Sequence, residues 1–252
     1  MDVKTAGRTV DLFELFARAR TPLKLSEVAR ALGAPQSSCF NLVRALETRG
    51  FLYMLGDSKR IYPTRRLFEI AEAIVEFEPI VPRVQQRLAE LRDETAETVI
   101  LGTRQNDRVV YLAVLESQHT IRYTSRAGDS KPIHASAIGK ALLMALAPDD
   151  RAALVARLPI RPITARTMTT PEALLAEVAS SKQRGYSQSC GENVVDVMAV
   201  ACPGKANGVV YAVGVAGPID RMAPLAERHA ASIRAAINDL FPESPTIDNP
   251  VT

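Results

Sequence analysis

Three times within the first fifty residues, apolar side chains recur at helical spacing. In residues 7–20, Val10, Phe13 and Ala17 mark one side of a helix, and Leu12 and Phe16 widen it. Thr21-Pro22 ends that segment. Leu25, Val28, Ala29 and Leu32 then fall at i, i+3, i+4 and i+7, with Gly33 as the stop. In "PQSSCFNLVRALETRGF" the same spacing is filled by Cys39, Leu42, Val43 and Leu46. Pro35 suits its first turn, and Arg49-Gly50 its last. "FLYMLGDSKRIYP" follows as two short apolar runs around a Gly-Asp-Ser-Lys turn, a hairpin signal. Helix, helix, helix, hairpin is the order of a winged helix-turn-helix.

The pattern then changes twice. Leu67, Ile70, Ala71 and Ile74 make another helical stripe, Pro79 and Pro82 interrupt the chain, and Val84, Leu88 and Leu91 mark a further helix. From about residue 97 the runs become β-branched: "TVILGTR", "RVVYLAVLES" and "HTIRYTS" read as consecutive strands. "HASAIGKALLMALA" reads as a helix, and Thr170-Pro171-Glu172 caps another that stops at Gly185. "VMAVACP" and "GVVYAVGVAG" are strands, and "PLAERHAASIRAAINDLF" is a closing helix. The expected class is α+β. The expected division is a winged helix at 1–65, linker helices at 66–96, an effector-type domain at 97–245 and a frayed tail at 246–252.

Charge adds to this picture. Residues 1–66 hold 12 Lys/Arg and 6 Asp/Glu, whereas the whole chain holds 31 and 28. A basic head on a mildly acidic body suits a nucleic-acid-binding module joined to something else. The three cysteines are scattered without metal spacing, and no apolar run reaches the ~20 residues of a membrane span. The expectation is a reduced cytoplasmic protein without disulfide, metal, cofactor or membrane partner.

With Cys39, Leu42, Val43 and Leu46 inward, Ser37, Phe40, Asn41 and Arg44 share the outer face of the third helix. In a helix-turn-helix the N-terminal half of that helix reaches base edges in the major groove. Asn41 can pair with adenine, and Arg44 with guanine or phosphate. Ser37 and Ser38 suit phosphate contact, and Phe40 suits a thymine methyl group. On the hairpin and beyond it, Lys59, Arg60, Arg65 and Arg66 would grip the flanking backbone of double-stranded DNA.

The chain resembles the IclR-type bacterial transcriptional regulators over nearly its whole length. The resemblance is carried by "AGRTVDLFELF", "LSEVARALGAPQSSCFNLVRALETRGFL", "RAGDSKPIHASAIGKALLMAL", "RGYSQSCGENV" and "YAVGVAGPIDRM". Pro132, His134, Ser136, Gly139 and Lys140 in the third piece are its most specific part. The resemblance implies a GAF-like effector-binding domain, a homodimer or dimer of dimers, and control of a catabolic operon by a small organic acid. Carried over by motif, the effector pocket would use Lys131, Ala137, Ile138, Ser189, Asp196, Ala199, Gly214 and Ala216, with Arg122 or Lys131 as carboxylate partner. The chain departs from the family pattern at Asn41, Asp196, Ala199, Gly214 and Ala216. A lining poorer in hydroxyls than the family's small-keto-acid binders points to a larger or more apolar ligand, an aromatic acid.

Two other readings stay open at this point. His134 and Cys190 are the ingredients of a Cys–His enzyme, although no third group can be placed beside them. The second domain could also serve dimerisation alone. Against that, the small-residue strand "AVGVAG" would leave space above a sheet.

Overall fold

Leu12 and Phe16, four residues apart on α1 (Lys4–Ala19), are the centre of the first core, joined by Val28, Val43, Leu46, Leu52 and Ile61. The computed structural model describes residues 4–76 and 81–241 and divides into two units, Met1–Glu78 and Pro79–Thr252. In the first unit α1 is followed by β1 (Leu23–Lys24), α2 (Leu25–Ala31), α3 (Gln36–Thr48), β2 (Leu52–Leu55), β3 (Arg60–Pro63) and α4 (Arg66–Glu76). The strands form one antiparallel sheet in the order β1-β3-β2. Gly33 turns the chain between α2 and α3 at φ +57°, and Gly50 ends α3 at φ +74°, conformations that cost a residue with a side chain more. This is the winged helix-turn-helix that the periodicity predicts, with β1 as an unforeseen third strand.

The inward faces need two adjustments. Val10 and Ala17 are exposed, so α1 is turned toward Leu12 and Phe16 rather than toward the expected stripe. On α3, Cys39, Val43 and Leu46 are buried while Leu42 is only half-buried.

In the second unit, β4 (Thr98–Gln105), β5 (Arg108–Leu115), β6 (Ser130–Pro132), β7 (Ser187–Cys190), β8 (Val197–Ala206) and β9 (Val209–Pro218) form a six-stranded antiparallel sheet. Its order is β6-β5-β4-β9-β8-β7. Helices cover both faces, which is why β8 and β9 read as unbroken apolar runs. Val99, Leu101, Val200, Cys202, Val213 and Val215 pack with α5 (Val81–Thr95) and α10 (Ala226–Leu240). Ile100, Ala201, Ala212 and Ala216 pack on the opposite face with α6 (Ala137–Met144), α7 (Pro148–Arg157) and α8 (Pro171–Arg184). The short α9 (Ile219–Met222) follows β9. Thr170 caps α8 by accepting from the Ala173 amide, and Gly185 closes it at φ +81°.

Two expectations are corrected here. "HTIRYTS" is irregular rather than a strand; β6 lies farther on, at Ser130–Pro132. The segment is held instead by side chains, with Thr98 Oγ1 donating to the Tyr123 carbonyl at 2.6 Å. The two linker helices divide: α4 falls in the first unit, whereas α5 buries Val84, Leu88 and Leu91 in the core of the second. The strand "AVGVAG" does border open space, as expected: Gly214 and Ala216 line a cavity, narrowed where Ile138 packs against Gly214 and Gly102. Pro79 and the tail at 246–252 lie outside the described residues.

Candidate functional site

The first candidate surface is the outer side of α3. Burial of Cys39, Val43 and Leu46 leaves Ser37, Phe40, Asn41 and Arg44 exposed at i, i+3, i+4 and i+7. Phe40 is 50 % exposed. The side chains of Ser37, Asn41 and Arg44 make no hydrogen bond or ion pair to other described residues, so their full donor and acceptor capacity faces outward. Ser38 sits lower, in a groove shared with Thr5, Arg8, Asn41 and Leu42.

The basic residues of the wing separate into two kinds. Lys59 is exposed at the tip of the hairpin, in the left-handed conformation at φ +47°. Arg60 is not free for DNA: its Nη1 donates to the Pro22 carbonyl at 2.8 Å and stands 3.5 Å from the Glu27 carboxylate. It ties β3 to the start of α2. Arg65 is exposed and lies over the Phe68 ring at 5.0 Å, and Arg66 over Phe51 at 5.2 Å.

The second candidate is a small cavity above the sheet of the second unit, about 30 Å³, or about 440 Å³ when all the space between its walls and the part open to solvent is counted. Its floor crosses four strands through Ile100, Gly214, Ala216, Ala199 and Ser189. Ser136, Ala137 and Ile138 overhang it from the first turn of α6, and Asn193, Val194 and Val197 close one side. Tyr111 and Tyr123 complete the wall. Six of the residues expected at an effector pocket therefore lie together: Ala137, Ile138, Ser189, Ala199, Gly214 and Ala216.

Three do not. Arg122 is exposed, pairing with Glu116 at 2.9 Å and donating to the His119 carbonyl. Lys131 lies over the Tyr111 ring at 5.8 Å and 3.8 Å from Asp129. Asp196 is exposed, and its carbonyl accepts from the Ile219 amide. The first error is one of adjacent positions: Arg122 is exposed, while its neighbour Tyr123 borders the cavity.

No cation lines the cavity, so an anion there relies on neutral donors. Ser189 is nine-tenths buried and its hydroxyl has no hydrogen-bond partner among the described residues. Ser136 Oγ is already engaged, accepting from the Gly139 amide as the cap of α6 and donating to the Pro132 carbonyl. Burial, and then the nearby Tyr123 phenol and Asp129 carboxylate, push the Tyr111 phenol far above its ordinary range, so it stays a neutral donor.

A buried ion pair holds the cavity's rim. Lys140 on α6 is fully buried and meets both Glu192 oxygens, at 2.7 and 2.8 Å, together with the Gln188 carbonyl at 2.9 Å. Thr164 donates to the Gly191 carbonyl and Thr167 to that of Glu192. Neither this network nor the tyrosines were foreseen. The only signal was Lys140 itself, a charged residue amid an otherwise apolar helix.

His134 and Cys190 serve other contacts: the His134 ring meets the Arg161 carbonyl at 3.0 Å, and Arg166 donates to the Cys190 sulfur at 3.6 Å. Among the described residues no group of His, Cys, Asp and Glu is arranged to hold a metal ion, and no helix is long and apolar enough to cross a membrane.

Comparison with known proteins gives two family matches. Residues 72–240 match the bacterial transcriptional regulator IclR C-terminal model, and residues 5–55 match the IclR helix-turn-helix domain. The chain is 31% identical over 220 residues to the probable transcriptional regulator SauR of Cupriavidus necator, covering 86% of this chain and 87% of the relative. The crystal structure of the Thermotoga maritima IclR superposes with a TM-score of 0.79 at 22% identity, covering 96% of this chain and 99% of that one. An IclR homolog from Microbacterium hydrocarbonoxydans, complexed with 4-hydroxybenzoate, gives a TM-score of 0.69 at 22% identity, covering 93% and 99%.

Proposed function

The chain belongs to the IclR family of bacterial transcriptional regulators, with a helix-turn-helix and an effector-binding domain, and on that premise we propose which residues read DNA and what the cavity holds. The exposed, unpaired set Ser37, Phe40, Asn41 and Arg44 carries the reading. Laid in the major groove, α3 presents an amide suited to adenine, a guanidinium suited to guanine and a ring suited to a thymine methyl group. Ser38, Lys59 and Arg65 contact phosphates and fix the register. Two copies of the chain read two half-sites about 34 Å apart. The protein acts in the cytoplasm on a catabolic operon.

The cavity takes a small aromatic acid. Its middle is apolar, with Ile100, Ile138, Ala199, Gly214 and Ala216. The carboxylate goes to the first turn of α6, beside the free Ser189 hydroxyl, because unsatisfied amides and the helix dipole both favour an anion there. Ser187 Oγ donates to the Ala137 carbonyl at 2.7 Å, holding that turn against β7 near Ser189. The structural neighbour that carries 4-hydroxybenzoate supports the ligand class. Occupancy shifts the balance between DNA-binding arrangements only by the acid's differential affinity for them.

Selection of bound sequences from a random DNA pool tests the reading. The protein should enrich two related half-sites. Arg44→Ala should weaken binding to the enriched site by ~1–3 kcal/mol and relax one base position. Absence of any enriched sequence, or an unchanged preference in Arg44→Ala, would overturn the proposed role of α3.

A further inference from the structure

The cavity is polar at both ends and apolar between them, and the strand register shows which residues stand at each end. Ser189 on β7 lies opposite Ala199 on β8, which lies opposite Ala216 on β9, which lies opposite Thr98 on β4. These four residues form one rung across the sheet, three strand spacings or roughly 14 Å long. Ser189 and the first turn of α6 mark the β7 end. At the other end Thr98 Oγ1 holds the Tyr123 carbonyl, and Tyr111 reaches the cavity wall from β5, where it pairs with Gly102, four residues along β4 from Thr98.

From this arrangement we infer that Tyr111 and Tyr123 are specificity-determining residues that recognise a second polar group, at the far end of the effector from its carboxylate. The preferred ligand is then a ring-hydroxylated aromatic acid rather than an unsubstituted one. The inference rests on the aromatic-acid reading above and deepens it.

The chemistry supports a hydroxyl at that end. The two tyrosines line the same part of the cavity wall, and Tyr111 is almost wholly buried. The Tyr111 phenol stays protonated, so it offers a donor and lone pairs but no charge. A ligand hydroxyl joins such a phenol as both donor and acceptor. A second carboxylate would meet no cation in the cavity lining, because Lys131 sits behind the Tyr111 ring, 3.8 Å from Asp129, and Arg122 faces outward. A bare ring edge would offer the phenol hydroxyls no partner. That limits the discrimination to about one hydrogen bond, or roughly tenfold in affinity.

Titration calorimetry of the full chain with benzoate and with 4-hydroxybenzoate tests this, together with the variants Tyr123→Phe and Tyr111→Phe, each of which removes only a hydroxyl. The wild type should prefer the hydroxylated acid about tenfold. Each variant should lose most of that preference while binding benzoate about as well as before. A merely structural role would weaken both acids alike. Should Tyr111→Phe fail to fold, because its ring is buried in the core, the half-exposed Tyr123→Phe decides alone. Equal wild-type affinity for the two acids, or an undiminished preference in Tyr123→Phe, overturns the assignment while leaving the aromatic-acid reading intact. If the wild type binds neither acid, the aromatic-acid reading itself falls and takes this inference with it.

Discussion

Lys59 and Arg60 are neighbours with the same charge, yet their surroundings give them opposite tasks. Lys59 stands exposed at the hairpin tip without a resolved partner, whereas Arg60 spends its guanidinium on Pro22 and Glu27. Lys59→Ala should weaken binding to all DNA sequences alike and lower the slope of log affinity against log salt by about one. Arg60→Ala should leave that slope unchanged. It should instead cost about 1 kcal/mol of stability, mostly from the carbonyl hydrogen bond, since the Glu27 contact is well exposed to solvent. Salt titrations by fluorescence anisotropy and urea melts read the two effects separately. A loss confined to one DNA sequence for Lys59→Ala would contradict a phosphate role. Sequence alone could not separate the pair, because Arg60's acceptor lies 38 residues earlier in the chain. The outer face of α3 was legible for the converse reason: its orientation follows from Cys39, Val43 and Leu46, all within one helix.

Periodicity has least to say about the element that matters most to the cavity. All eight residues of α6 are buried, so there is no polar side to betray its facing, and Lys140 sits among them. Its partner, Glu192, is 52 residues away. Removing one partner strands the other charge in the interior. Lys140→Met or Glu192→Leu alone should therefore cost about 3–5 kcal/mol, while the Lys140→Met, Glu192→Leu double replacement should cost far less. Chemical denaturation of the four members of that cycle measures the difference; additive single and double costs would show that the pair is not coupled. A second buried titratable group, His229 on α10, has no partner for its Nε2 among the described residues. Burial holds its pKa below the ordinary 6.5, with Glu97 and Glu94 only partly opposing. The unfolded chain then binds a proton that the folded chain resists, so stability falls as pH drops below about 6.5 and is retained above it. His229→Leu should flatten melting temperature against pH between 7 and 5. An unchanged slope would place the acid sensitivity elsewhere.

The same limits act on the whole molecule. Mixed strands and helices after residue 97 announced an α+β unit, and the two apolar runs that became β8 and β9 announced its buried sheet. Strand order depends on pairings more than a hundred residues apart, such as Ile100 with Gly214, and Tyr123 reaches the cavity from an irregular segment; no local pattern records either. The helical stripe on α4 was legible but its burial was not: Leu67, Phe68, Ile70 and Ile74 are exposed in the single chain, Ile74 by 66 %. An apolar face of this kind, on the unit that carries α3, is the expected meeting surface of the two copies proposed to read two half-sites. Ile70→Glu with Ile74→Glu should convert a dimer to a monomer in sedimentation velocity. The unit's own melting should change little, because side chains already in water contribute little to its core. Binding to a paired site should drop toward that of a single half-site, since the second contact is no longer tethered to the first. If the double variant sediments as the wild type does and keeps its affinity for the paired site, the copies meet through another surface and α4 has a different task.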